Sequence, residues 1–165
     1  MTATTTSATD AVEVRTATPA DAGLVDRMVR EIAAHEDSLD ALVAGPEHWR
    51  AMLARPDVRI LIAVGADGTP LGYVSTTRRL NLWLGADVIG LDDLWVRDTA
   101  RNRGVGRELM AAVARLAVED DLTVVWGARA DNDAAHRFYR RLGAHLYTKV
   151  VASWTPEQYR PMLVA

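Results

Sequence analysis

The chain has 165 residues, 49% of them apolar and 25% charged, with a formal net charge of −3. One domain's length and a globular composition argue against two ordinary enzyme domains and against a disordered chain. The absence of cysteine excludes disulfides, thiolate nucleophiles and cysteine metal sites, and the charge leaves no overall basic footprint for nucleic acid.

Residues 1–11 (MTATTTSATDA) are rich in Thr and Ala and lack the basic and apolar runs of an export signal, so they read as a flexible tail before one domain at 12–165. No apolar run reaches the roughly 18–20 residues that span a bilayer, which sets the expectation of a cytoplasmic protein with no membrane partner. Val12–Thr16 alternates as a strand. Thr18-Pro19-Ala20-Asp21 opens a helix, with Thr18 as cap and Asp21 reaching back to complete a capping box; Leu24, Val25, Met28 and Ile32 give the helix its apolar stripe. Residues 35–45 read as an acidic turn or short helix, and 46–55 as a second helix stopped by Pro56.

Residues 58–64 (VRILIAV) and 71–79 read as strands joined by the turn Ala66-Asp67-Gly68-Thr69-Pro70. A loop or strand extension at 81–86 leads to a strand at 88–96. A tight basic loop at 101–106 then precedes a helix whose buried face carries Val105, Leu109, Val113 and Leu116. Residues 122–127 read as a strand, 132–142 as a helix closed by Gly143, 144–154 as a final strand, and Thr155-Pro156-Glu157-Gln158 as the start of a short helix. The order β-α-α-β-β-β-α-β-α-β-α predicts an α/β (α+β) protein with a mixed sheet, helices on both faces and a parallel pair within the β-α-β unit.

The segment Asp92-Asp93-Leu94-Trp95-Val96-Arg97-Asp98-Thr99-Ala100-Arg101-Asn102-Arg103-Gly104-Val105-Gly106 concentrates the chemistry. The first N–H groups of the helix that follows have no internal partners, and its dipole adds positive charge. Gly104 and Gly106 permit positive φ and close backbone approach. Arg97, Arg101, Arg103 and Arg107 against Asp98 give a local charge of 4 − 1 = +3. Two readings stand: a phosphate cradle, or a capping turn with a solvated arginine face. A P-loop is excluded because Arg107-Glu108 follows Gly106, and a dinucleotide fingerprint because position 109 is Leu.

Arg101-x-x-Gly104-x-Gly106 after Leu94-Trp95-Val96 resembles the acetyl-CoA loop of the GCN5-related N-acetyltransferases (GNAT). A second block agrees: Asn132-Asp133-Ala134-Ala135-His136-Arg137-Phe138-Tyr139-Arg140-Arg141-Leu142-Gly143-Ala144 resembles the family's Asn-x-x-Ala-x-x-Phe-Tyr-x-x-Leu-Gly segment. The resemblance covers about residues 12–154. It implies a mostly antiparallel central sheet with a splayed parallel pair, acetyl-CoA as co-substrate, no metal and a homodimer. It also implies a site. The backbone of Arg101, Asn102, Arg103, Gly104, Val105 and Gly106, with Arg107, would hold the pyrophosphate. Leu94, Trp95 and Val96 would line the pantetheine arm, Asn132 would reach it, Ala135 would also bind the coenzyme, and Tyr139 would be the general acid at the sulfur.

The reaction gives these residue types a physical reason. An alkyl amine with a pKa near 10.4 must lose a proton before it attacks, and a thiolate whose thiol pKa is about 8.5 gains from a donor such as a tyrosine of pKa about 10. Tyr139 and Phe138 compete for one core position on their helix; the resemblance puts Tyr139 at the sulfur and Phe138 in the core. Asp92 and Asp93 interrupt an apolar strand, where carboxylates need a partner or a purpose. Only a bulge would turn both to one side. Leu91-Asp92-Asp93-Leu94-Trp95-Val96 is similar to the Leu-Glu-Asp-Phe/Leu-Tyr-Val segment of the diamine and polyamine acetyltransferase branch, which implies Asp92 as the base with Asp93 close behind; a paired structural carboxylate is the alternative.

For the acceptor, His35, Glu36 and Trp83 join Asp92 as candidates: carboxylates attract a cationic amine and a tryptophan face offers cation–π contact. The four histidines show no metal-ligand spacing. The expected function is direct acetyl transfer from acetyl-CoA to a primary amine of a small molecule, with a polyamine or diamine first. Alternatives are an aminoglycoside, an amino acid or a protein amino group as acceptor, or a non-catalytic CoA-binding sensor.

Overall fold

The computed structural model describes residues 11–163, so the tail expected at 1–11 lies outside it apart from Ala11. The described residues form two compact units, 11–127 and 128–163.

The first unit holds β1 (Val12–Thr16), α1 (Ala22–His35), α2 (Pro46–Leu53), β2 (Val58–Gly65), β3 (Pro70–Asn81), β4 (Ala86–Val96), α3 (Val105–Val118) and β5 (Thr123–Trp126). The strands form one sheet in the order β1-β2-β3-β4-β5. All pairs are antiparallel except β4–β5, which is parallel as the α3 crossover requires. Alternation along β2 sorts its residues between two cores. Leu61 and Ala63 join Val74, Ile89 and Leu91 beneath Val105, Leu109, Val113 and Ala117 of α3. Ile60 and Ile62 join Tyr73 and Trp95 beneath Val25, Met28 and Val29 of α1. Helices therefore cover both faces, and the buried residues of each helix recur at three- and four-residue steps. α2 is tied to α1 through the Trp49 indole, which donates to Asp26 at 3.2 Å, and Asp26 also accepts from Arg30 at 2.9 Å.

The start of α1 is fixed by charge as well as by propensity. Asp21 accepts from the Thr18 N–H at 2.8 Å and takes both guanidinium nitrogens of Arg15, at 2.9 and 2.6 Å. The Arg15 pair, followed by the Thr18 bonds, holds the Asp21 carboxyl down to about 2. Its contribution is present above the ordinary carboxylate pKa of about 3.9 and fades as pH falls toward 2. Asp21→Ala is expected to cost about 1–2 kcal/mol at neutral pH, Arg15 being too exposed for more. Urea melts should show that deficit shrinking by pH 2.

The second unit holds α4 (Asp133–Arg141) and a short α5 (Pro156–Tyr159). Gly143, at φ +87°, follows α4 in the left-handed conformation that ends helices. The final strand expected at 144–154 is not formed: this stretch carries no regular secondary structure, and Tyr147, Val150, Val151 and Trp154 in it are exposed. An alternating apolar pattern makes a strand only where an edge accepts it, and among the described residues none pairs with this one.

Candidate functional site

β4 carries the site because two irregularities open it. Its parallel partner β5 stays in register from Val88↔Thr123 to Leu91↔Trp126 and stops. β4 continues through Asp92–Val96, paired on the other side with β3 (Val74↔Leu94, Tyr73↔Trp95, Gly72↔Val96). No described strand occupies the β5 side of Leu94, Trp95 and Val96, which leaves an edge that an extended ligand can join.

The second irregularity is a β-bulge. The register steps from Thr76↔Leu91 to Val74↔Leu94, so Asp92 and Asp93 together oppose the single residue Ser75. The surplus residue reverses the alternation. Leu91 lies in the α3 core, and so do Leu94 and Val96, while Trp95 lies in the α1 core. Both carboxylates therefore face the α1 side, the arrangement that an unbulged strand forbids.

On that side the bulge is held by β3 hydroxyls. The Asp93 N–H donates to Ser75 Oγ at 3.0 Å, and Thr77 Oγ1 donates to Asp92 Oδ2 at 3.0 Å. Asp93 is partly buried and Asp92 exposed. Burial pushes the Asp93 carboxyl up, the charges of Asp92 and Glu36 push it further, and the Ser75 and Tyr73 hydroxyls oppose the rise. Tyr73 is buried, and among the described residues its hydroxyl has no partner in hydrogen-bonding geometry, yet it lies close enough to Asp93 for each to perturb the other. Burial and the Asp93 charge push the Tyr73 hydroxyl up as well. His35 lies 4.9 Å from the Trp95 ring, centroid to centroid. Four expected residues, His35, Glu36, Asp92 and Asp93, thus meet on one face. Trp83 does not join them: it is fully exposed at the β3–β4 turn, and β4 runs six residues from its start at Ala86 to Asp92, about 20 Å along the strand at 3.3 Å per residue. The sequence reading missed Tyr73, Ser75 and Thr77, whose signal is the polar i, i+2 spacing along β3.

After Val96 the chain makes a 3-10 turn at Asp98–Ala100 and reaches Gly104 at φ +84°, from which α3 starts. The first helical N–H bonded within this helix end is that of Glu108, to the Gly104 carbonyl at 3.1 Å, so the amides of Val105, Gly106 and Arg107 point out of the helix end, whereas the expected Arg101 amide is taken by the Asp98 carbonyl at 3.3 Å. The arginines are less available than their count suggests. Arg97 makes a two-pronged pair with Glu31 at 2.8 and 2.7 Å and donates to the Pro70 carbonyl at 2.7 Å. Such a pair outcompetes solvation, which corrects the inclusion of Arg97 in the phosphate cluster. Arg101 folds back onto the Val96 carbonyl and Asp98, its guanidinium 4.9 Å from the Trp95 ring centre. Asn102, Arg103 and Arg107 are exposed, Val105 is buried and Gly106 partly so. What remains for an anion is chiefly main-chain amide and helix dipole.

In the second unit, Asn132 caps α4, its side-chain oxygen accepting from the Ala135 N–H at 3.0 Å. A ligand would therefore meet the amide NH2 end of Asn132, and the Ala135 N–H is already engaged. Tyr139 is buried and Phe138 only partly so, the reverse of the expected packing; their rings stand 5.4 Å apart. Burial pushes the Tyr139 hydroxyl up. No cluster of three or more His, Cys, Asp or Glu residues suited to a metal occurs among the described residues, and no described helix is long and apolar enough to cross a membrane.

The profile of the Acetyltransferase (GNAT) family matches residues 27–144. The thialysine N-epsilon-acetyltransferase of Bos taurus is 28% identical over 148 residues, covering 84% of this chain and 86% of the bovine protein. That of Sus scrofa is 29% identical with the same coverage. Among solved structures, an aminoglycoside acetyltransferase from an uncultured soil metagenomic sample superposes with a TM-score of 0.76 at 17% identity, over 87% of this chain and 95% of that one. At that identity the likeness is one of fold. The family match spans both the bulged strand and the loop that follows it: the chain belongs to the acetyltransferase (GNAT) family and is an acyltransferase acting on amino groups.

Proposed function

We propose that the chain transfers an acetyl group from acetyl-CoA directly to the primary amine of a small molecule, with diamine-like acceptors preferred. The observation that carries this reading is the bulge that turns Asp92 and Asp93 to the face shared with Glu36. Three carboxylates there favour an acceptor that brings positive charge beyond the reacting nitrogen. The thialysine-acetylating relatives support the same class. A chain without cysteine forms no acetyl-cysteine, which supports direct transfer. The main chain of Asn102–Gly106, with Arg107, suits the coenzyme's diphosphate. The open edge at Leu94–Val96 suits its pantetheine arm; by resemblance to the family, Asn132 and Ala135 would contact the coenzyme and Tyr139 would protonate the departing thiolate.

The test is thiol release from acetyl-CoA with spermidine, thialysine, kanamycin, free amino acids and a lysine peptide. Spermidine and thialysine are expected to give the highest kcat/KM. Release with kanamycin alone would move the acceptor to the aminoglycosides. Acetyl-CoA binding without release from any amine would leave a sensor domain.

A further inference from the structure

Resting on the proposed transfer, we propose that Asp93, rather than Asp92, takes the proton from the acceptor ammonium, and that Tyr73 is the positioning residue that holds Asp93 for this step. The two carboxylates share a face but not an environment. Asp92 is exposed and bonded by Thr77 Oγ1, which suits it to attracting a cation. Asp93 is partly buried, its backbone N–H fixed on Ser75 Oγ, with the Ser75 hydroxyl 3.5 Å from its Oδ2.

Tyr73 supplies the independent observation. It is 1% exposed, and among the described residues its hydroxyl has no hydrogen-bond partner. A buried orphan donor is unfavourable and calls for an explanation. Beside it lies a carboxylate that must alternate between charged and neutral. When Asp93 is ionised, Tyr73 donates to it; when Asp93 is protonated, the contact relaxes. The groups that act on Asp93 are Asp92 of β4, Glu36 of α1, and Ser75 and Tyr73 of β3. Glu31 of α1 acts in turn on Tyr73 and is bound to Arg97, and His35 lies against Trp95. The two acidic neighbours favour a protonated Asp93, and the two hydroxyls keep it available as a base.

The step balances simply. An ammonium N–H proton passes to Asp93, and the N–H electron pair stays on nitrogen. That pair forms the C–N bond at the thioester carbonyl carbon, the C–S bond breaks, and the sulfur leaves with its electrons. The second amine proton ends on sulfur, and Asp93 returns its own to water.

Titration of the 13C-labelled aspartate carboxyls by NMR tests Asp93 without any acceptor. One carboxyl is expected to titrate above the others and to vanish in Asp93→Asn. Asp92→Asn should lower its midpoint by removing a negative neighbour, and Tyr73→Phe should raise it by removing a donor; a purely structural tyrosine would leave it unmoved. With any amine that releases thiol, Asp93→Asn should lower kcat about 100-fold and abolish the acidic limb of the rate profile. Asp92→Asn should chiefly raise KM. Asp93 titrating with the exposed aspartates, a midpoint indifferent to Tyr73→Phe, or full turnover by Asp93→Asn overturns this assignment and leaves the transfer itself standing. No thiol release from any amine overturns the transfer, and the assignment with it.

Discussion

Gly104→Glu is expected to fold and to bind acetyl-CoA at least about 100-fold more weakly, as a carboxylate enters a site built from main-chain donors. Gly104 is at φ +84°, and a Cβ placed there meets nothing within 4 Å. The cost to folding is thus backbone strain, roughly 1–2 kcal/mol for a left-handed non-glycine residue, and not a clash. Asn tolerates that conformation, so Gly104→Asn shares much of the strain without the charge and should keep most of the affinity. Calorimetric titration with acetyl-CoA, beside thermal melts of all three proteins, separates the effects. Equal affinity in the Glu variant would remove the diphosphate from this helix end and leave a capping turn with solvated arginines.

Tyr139→Phe is expected to lower kcat about 100-fold while changing the acetyl-CoA Kd less than twofold, because a proton donor matters most once charge develops on the leaving sulfur. Burial pushes the Tyr139 hydroxyl up. The protonated, donating form therefore persists across the neutral range, and the deficit should be the same at pH 6.5 and pH 8.5. Rapid-quench measurement of acetyl transfer beside equilibrium binding checks both halves. An unchanged kcat would assign the tyrosine to packing against Phe138.

The fold was legible where local chemistry and tertiary need agree. β1 occupies the stretch expected for it, the turn about Asp67-Gly68 joins β2 to β3, and Val105, Leu109 and Val113 are the buried stripe of α3. Residues 144–154 show the limit: their alternation states which side chains would share a face, but pairing depends on an edge the pattern does not contain. The Arg97 error has a similar origin. Counting charge near a loop ignores Glu31, 66 positions away, which claims the guanidinium. The acid pair was half legible. Two aspartates in an apolar strand announce a special site, yet only the pairing with Ser75 shows that they look the same way.

The extra residue in β4 is also separable from the fold. Deleting either aspartate, as opposed to replacing it, would restore one-to-one pairing against Ser75 and leave Leu94, Trp95 and Val96 in their present hydrophobic layers. The sheet does not depend on the slot; the meeting of two acids on one face does. Lineages descended from this sequence that dispense with one acid should therefore be free to lose its position as well, shortening β4 by one residue without repacking either layer.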